Sequence, residues 1–196
     1  MFVIDQQGKV INPRIQLAIS PSIERGVMVQ VNGIIVHQTD SPTAQSTLNS
    51  YQNLNANGAH FLIDKDGTIY QTASLLKQTR HVGKLRSRCL AETRCTPTEL
   101  KALKKFNAAG EHKREAAKSV PDRYPANQDS VGIELVGKAI SNNGIQSYEA
   151  VTKDQNDSLK WLIMELTATL QVPFTEIFRH PTASYKNPSE ASTAQW

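Results

Sequence analysis

Residues 31–37, Val-Asn-Gly-Ile-Ile-Val-His, constrain the fold more than any other stretch of the chain. Three consecutive β-branched residues, Ile34, Ile35 and Val36, are stiff at the first side-chain torsion and suit a pleated strand better than a helix. A strand apolar on both faces must lie inside a sheet with layers on either side. This one ends on an imidazole, His37. A second run, Ser130–Val136, has the same character but places Glu134 between Ile133 and Leu135. Burying a carboxyl group among apolar neighbours is costly, so an acid there needs a partner or a task.

The remaining elements are built around these two strands. Residues 2–5 and 9–12 flank Gln6-Gln7-Gly8 and read as a small hairpin. Ser41-Pro42 supplies a cap and first turn for a helix running to about Leu54, stopped by Asn57-Gly58. His60–Ile63 and Thr68–Gln71 bracket the turn Lys65-Asp66-Gly67 as a second hairpin. Thr96 and Glu99 form a capping box for a helix over 97–109, and the polar, proline-punctuated stretch 110–129 reads as a long surface loop. Thr152 and Gln155 cap a helix whose Leu159, Leu162, Ile163, Leu166 and Leu170 recur at helical spacing. Pro173 ends it, and Thr175–Arg179 form a short strand that delivers His180. The expected class is mixed α/β: a central mixed β-sheet flanked by helices, in one domain over residues 1–196. Residues 1–30 read as an N-terminal hairpin extension and residues 31–190 as the core.

A net charge of +4 suits an anionic polymer. No arginine and lysine stripe with interleaved aromatics supports nucleic-acid binding. No apolar run approaches the roughly 20 residues of a membrane span, so no membrane insertion is expected. The first residues lack the basic start and long apolar stretch of a signal peptide. The expectation is a chain made in the cytoplasm that stays there or is exported by a leaderless route. Cys89 and Cys95, with five residues between them, either close a small disulfide loop or remain free thiols; a disulfide would point to an oxidising compartment.

Five segments carry a resemblance, in order over about residues 31–190: GIIVHQTDSPT, NGAHFLIDKDGTIYQ, QTRHVGK, SVGIELVG and FRHPTASYKNPSEAS. Together they resemble the type 2 N-acetylmuramoyl-L-alanine amidases, relatives of the animal peptidoglycan recognition proteins. The resemblance implies a zinc ion in an open cleft, with His37 and His180 as two ligands. The family's third ligand, Asp or Cys in a K-x-D-P-G or K-x-C-P-G motif, has no counterpart at Lys186-Asn187-Pro188. Glu190, ten residues after His180, is the better donor, because a carboxylate binds zinc and a neutral amide does so poorly; Asn187 is the weaker candidate. Two histidines and one carboxylate leave an open position, the arrangement of a catalytic zinc site. Glu134 matches the glutamate that serves as general base in the bacterial branch. Ala59 stands where other members place a tyrosine, which agrees with that branch. Lys186 resembles the lysine that stabilises the oxyanion. His81, with Gln38 and Thr39, is expected to line the substrate groove; His60 is expected to be structural and His112 to have no role.

The activity implied is zinc-dependent hydrolysis of the amide between N-acetylmuramic acid and the L-alanine of peptidoglycan. Two other readings stand beside it: a peptidoglycan-binding module that does not cut, and a cytosolic amidase recycling anhydro-muropeptides. NGAHFLIDKDGTIYQTASLLKQT and YKNPSEASTAQW resemble the amidase effectors of type VI secretion. That resemblance implies an antibacterial toxin acting in a target periplasm, with a cognate immunity protein as partner.

Overall fold

A computed structural model describes residues 1–142 and 144–196. In chain order the strands are β1 (Val3–Ile4), β2 (Val10–Ile11), β3 (Ile15–Leu17), β4 (Glu24–Val27), β5 (Gly33–Gln38), β6 (Phe61–Ile63), β7 (Ile69–Gln71), β8 (Lys77–Thr79), β9 (Ser130–Leu135), β10 (Ala139–Asn142), β11 (Ile145–Tyr148) and β12 (Ile177–Arg179). The helices are α1 (Ala44–Ser50), α2 (Arg88–Ala91), α3 (Pro97–Leu103), α4 (Ala108–Ala116), α5 (Lys153–Leu170) and α6 (His180–Ala183).

Six strands form the central sheet in the order β12-β5-β9-β6-β7-β3. β12, β5, β9 and β6 run parallel; β7 returns antiparallel to β6, and β3 lies parallel to β7. The sheet is therefore mixed, with helices packed against it. All six residues of β5 are buried, as its apolar run requires. Its two faces divide by strand alternation. Ile34 and Val36, with Val131, Ile133 and Leu135 of β9, meet Leu159, Leu162, Ile163 and Leu166 of α5 in the main core. Ile35 points the other way, into a smaller cluster with Val82, Leu85 and Tyr124. The α5 start is the expected capping box, and its end is Gln171 in the left-handed region.

Four expectations need correction. α1 is capped by Thr43, whose side chain accepts from the Ser46 N–H, and it ends at Ser50 rather than near Leu54. Ser41 lies two residues ahead of that cap and forms a bridge with Gly137. α3 keeps its Thr96–Glu99 capping box but stops at Leu103. The supposed loop 110–129 instead contains most of α4, which Asn107 starts by accepting from the Ala109 and Gly110 N–H groups. α4 buries Glu111 and Glu115, not an apolar stripe, so apolar periodicity carried no sign of it. The expected N-terminal hairpin forms between β1 and β2, yet residue 30 is no boundary. β3 is an edge strand of the central sheet, and Phe2, Val10, Ile15 and Met28 sit in the main core. The β10–β11 hairpin had no counterpart in the sequence reading. Cys89 and Cys95 are joined in a disulfide beside α2. Among the described residues, no helix is long and apolar enough to cross a membrane.

Candidate active site

The carboxyl ends of adjacent parallel strands are where clefts form in sheets of this kind, because the connections leave the strands there. Register fixes what gathers at that end. Ile35 lies beside Gly132, and His37 beside Glu134. On the other side, β12 runs parallel with Phe178 beside Ile35, and the chain continues through Arg179 into His180. By the two-residue alternation, His37 and Glu134 share the sheet face of Ile35, away from α5. They line a cleft of about 550 Å³ with His180, Glu190 and Lys186.

His37, His180 and Glu190 are all buried, and one ligand atom from each lies within 4.8 Å of the others. Glu190 Oε1 stands 2.8 Å from His180 Nδ1 and 3.6 Å from His37 Nδ1. The His180 Nε2 lies 2.8 Å from the Val82 carbonyl, which can only accept, so a neutral His180 carries its proton on Nε2. Its Nδ1 then faces a carboxylate lone pair to lone pair. Such a set of acceptors is satisfied by a cation, and two imidazoles plus a carboxylate suit zinc. Asn187 does not compete for that place: its carboxamide donates to the Gln146 carbonyl and accepts from Ser189. The segment carrying Glu190 is tied down by Arg179, which donates to the Ala191 and Ala194 carbonyls at 3.0 and 2.6 Å.

The charges are mutually tuned. Burial, then the nearby His180, lowers His37 from 6.5 to about 4. Burial works against Glu190, but the adjacent His180 and His37 outweigh it and bring that carboxyl from 4.5 to about 2. Burial, reinforced by Glu190, pushes Glu134 up to about 8, with Lys186 opposing. Glu134 Oε2 is buried with no hydrogen-bond partner among the described residues. A carboxyl group titrating near neutrality with a free oxygen has the properties of a general acid–base.

The other expected residues separate into cleft and frame. Lys186 is exposed and lines the cleft. His81 also reaches the cleft wall, but its Nδ1 is 2.9 Å from His37 Nε2 and its Nε2 is 3.3 Å from the Ser130 carbonyl. Both ring nitrogens are therefore engaged inside the protein, while the ring lines the cleft as expected. Gln38 is likewise a frame residue, since its amide donates to the Glu149 carbonyl at 2.8 Å and accepts from Ala191 N–H at 3.2 Å. The Thr39 hydroxyl accepts from the Ser41 and Gly137 N–H groups, which shapes the turn at the cleft rim. His60, fully buried, accepts from Gly132 N–H at Nδ1 and lies 2.9 Å from the Lys77 carbonyl at Nε2, a structural role as expected. His112 accepts from Leu85 N–H and ties α4 to the segment that carries Leu85. Sequence reasoning missed Tyr148, Arg80, Asn57 and Asn127, which also line the cleft. Tyr148 arrives on the unforeseen β10–β11 hairpin, and no motif marked it.

Residues 28–193 match the family model described as N-acetylmuramoyl-L-alanine amidase, and the chain belongs to that family. Solved structures of the same fold include the catalytic domain of XlyA, at 18% identity and a TM-score of 0.54, covering 90% of this chain and 88% of that one. A selenomethionine derivative of AmpD matches at 16% identity and a TM-score of 0.54, over 94% and 89% of the two chains. A mutant endolysin from Bacillus subtilis matches at 17% identity and a TM-score of 0.51, over 85% and 82%. A sequence search of curated proteins gives no match.

Proposed function

We propose that this amidase hydrolyses the bond between the lactyl carbonyl of N-acetylmuramic acid and the nitrogen of L-alanine in peptidoglycan, and that it depends on zinc. The observation that carries the reading is the convergence of His37, His180 and Glu190 beside the unpartnered carboxyl of Glu134, at the carboxyl ends of parallel strands. His37 Nδ1, His180 Nδ1 and a Glu190 oxygen would hold the metal. The chemistry that zinc supplies in such a site is polarisation of a carbonyl and acidification of water.

This chain's residues do the rest. Glu134 takes a proton from the attacking water as its oxygen bonds to the carbonyl carbon. It then gives that proton to the alanine nitrogen as the C–N bond breaks, and the water's second proton passes from the new carboxyl group to the amine, leaving a lactyl carboxylate and a peptide ammonium. A cation held by Glu190 offsets one of the two causes that raise Glu134, which favours the ionised base. Lys186, on the cleft wall, would place a positive charge near the oxygen that becomes negative. Glu190 standing beside both histidines speaks against the non-cutting reading, whose motive was the missing third ligand.

We further propose that the enzyme is an antibacterial effector acting in a periplasm. The Cys89–Cys95 disulfide supports an oxidising compartment over cytosolic recycling, and the basic excess suits an acidic wall polymer. The test is digestion of purified peptidoglycan, with products identified by mass. Peptides beginning at L-alanine, lost on chelation and restored by zinc, support the reading; intact muropeptides refute it. Lysis of a Gram-negative host only when the chain is directed to its periplasm supports the effector role, and harmless periplasmic expression refutes it.

A further inference from the structure

The two histidines of the candidate metal centre present the same nitrogen, Nδ1, to Glu190, and each has its Nε2 engaged by one of two consecutive residues. His37 Nε2 meets the His81 side chain at 2.9 Å. His180 Nε2 meets the Val82 carbonyl at 2.8 Å. The direction of the first bond can be read from its surroundings. His81 Nε2 faces two oxygens at 3.3 Å, the Ser130 carbonyl and the Ser130 hydroxyl. That hydroxyl spends its only proton on the Ala126 carbonyl at 2.6 Å, so both oxygens can only accept. His81 therefore carries its proton on Nε2 and offers a bare Nδ1. His37 Nε2 must donate to it, which leaves the His37 Nδ1 lone pair turned towards Glu190.

The dipeptide is itself fixed in place. Asn127 Oδ1 accepts from both the His81 and the Val82 N–H, at 3.0 and 2.8 Å. The His81 ring lies against Gly132, where a Cβ would come within 2.7 Å of its Nδ1 and 2.9 Å of its Cγ. A side chain at that position would push the ring off His37.

We propose that His81 and Val82, clamped by Asn127, form one positioning device that sets the tautomer and orientation of both metal-holding histidines. The inference rests on the metal-centre reading above, and it makes His81 a positioning residue rather than a substrate contact. Groups that orient metal-bound histidines in this way are commonly worth 10–100-fold in metal affinity.

The test uses the purified full chain, stripped of metal and titrated with zinc against a chelator of known affinity. His81→Ala is expected to weaken zinc binding by about 10–100-fold. His81→Asn, whose side-chain oxygen can take the place of Nδ1 as acceptor, is expected to recover most of the loss. Asn127→Ala is expected to weaken zinc binding, while Asn127→Asp, which keeps an acceptor, weakens it less. Melting of each metal-free variant separates misfolding from mispositioning. A second readout needs no metal: the imidazole ¹⁵N shifts of His37 report which nitrogen bears the proton. We expect Nε2–H in the wild type and a mixture of tautomers in folded His81→Ala. A His81→Ala chain that binds zinc as tightly as wild type, with His37 still protonated on Nε2, overturns the inference. A wild-type chain that binds no zinc instead overturns the metal-centre reading, and the ¹⁵N shifts then decide the hydrogen-bond device alone.

Discussion

Replacing Glu134 by glutamine keeps the shape of the side chain and removes its ability to gain or lose a proton. In the metal-free protein, burial and Glu190 raise this carboxyl from 4.5 to about 8. Between those values the folded state holds a proton that the unfolded chain has released. Stability must therefore fall as pH rises from about 4.5 through about 8. At about 1.4 kcal/mol for each tenfold change in acidity, the ceiling on that loss is about 5 kcal/mol. Glu134 lines an open cleft, and water there relaxes the burial cost, so about 1–2 kcal/mol is the expected size. Glutamine has no proton to release and should not show this loss. The assay is denaturant unfolding of metal-free wild type and Glu134→Gln at pH 5 and pH 8.5. Other titrating groups act in both proteins and cancel in the difference between them. The same variant, loaded with zinc, should lose about 10²–10⁴ in turnover, or about 3–5 kcal/mol of barrier, as expected for a missing acid–base. Its zinc content should be unchanged, because Glu134 is not among the three converging ligands. Parallel pH–stability curves for the two proteins would refute the burial argument. Turnover within a few-fold of wild type would refute the role as base.

Glu190→Ala should bind zinc more than about 100-fold more weakly by chelator competition, since outer partners of metal histidines alone are worth 10–100-fold. Unchanged affinity would leave the third ligand elsewhere. Glu176→Ala strands the Arg88 guanidinium, which is buried and paired to Glu176 at 2.7 and 2.9 Å. Equilibrium unfolding should show a loss of about 3–5 kcal/mol, and a loss under 1 kcal/mol would mean that Glu92, which accepts from Arg88 Nε at 2.7 Å, suffices as partner. Reducing the Cys89–Cys95 bond reopens a short loop and should lower stability by about 2 kcal/mol, read as a shift in the denaturant midpoint under reducing conditions.

Much of this protein was legible in its sequence, and for local reasons. The β-branched run at Ile34–Val36 could only be an interior strand. The capping boxes at Thr96 and Thr152 and the α5 periodicity are contained within a few residues of each other. The amidase resemblance drew on short segments in which His37, Glu134 and His180 are each named by their neighbours. Elements whose reason for existing is distant stayed hidden. α4 folds over polar contacts, with the buried Glu111 accepting from Ser87 N–H and from the Tyr185 hydroxyl, so no apolar stripe announced it. Ser41, expected to cap α1, pairs instead with Gly137, nearly a hundred residues on, while Thr43 supplies the cap.

The choice between Glu190 and Asn187 was chemical preference in the sequence; packing made it a matter of position, because Asn187 turns its amide to Gln146. His81 shows the division most clearly. Its residue type fitted a groove, but the direction of its ring came from Gly132 beneath it, Ser130 behind it and Asn127 at its backbone. Sequence by itself determined which residues could carry chemistry, because residue type and short spacing suffice for that. Tertiary structure decided which nitrogen faces which partner, because hydrogen-bond direction depends on atoms brought together from separate strands and loops.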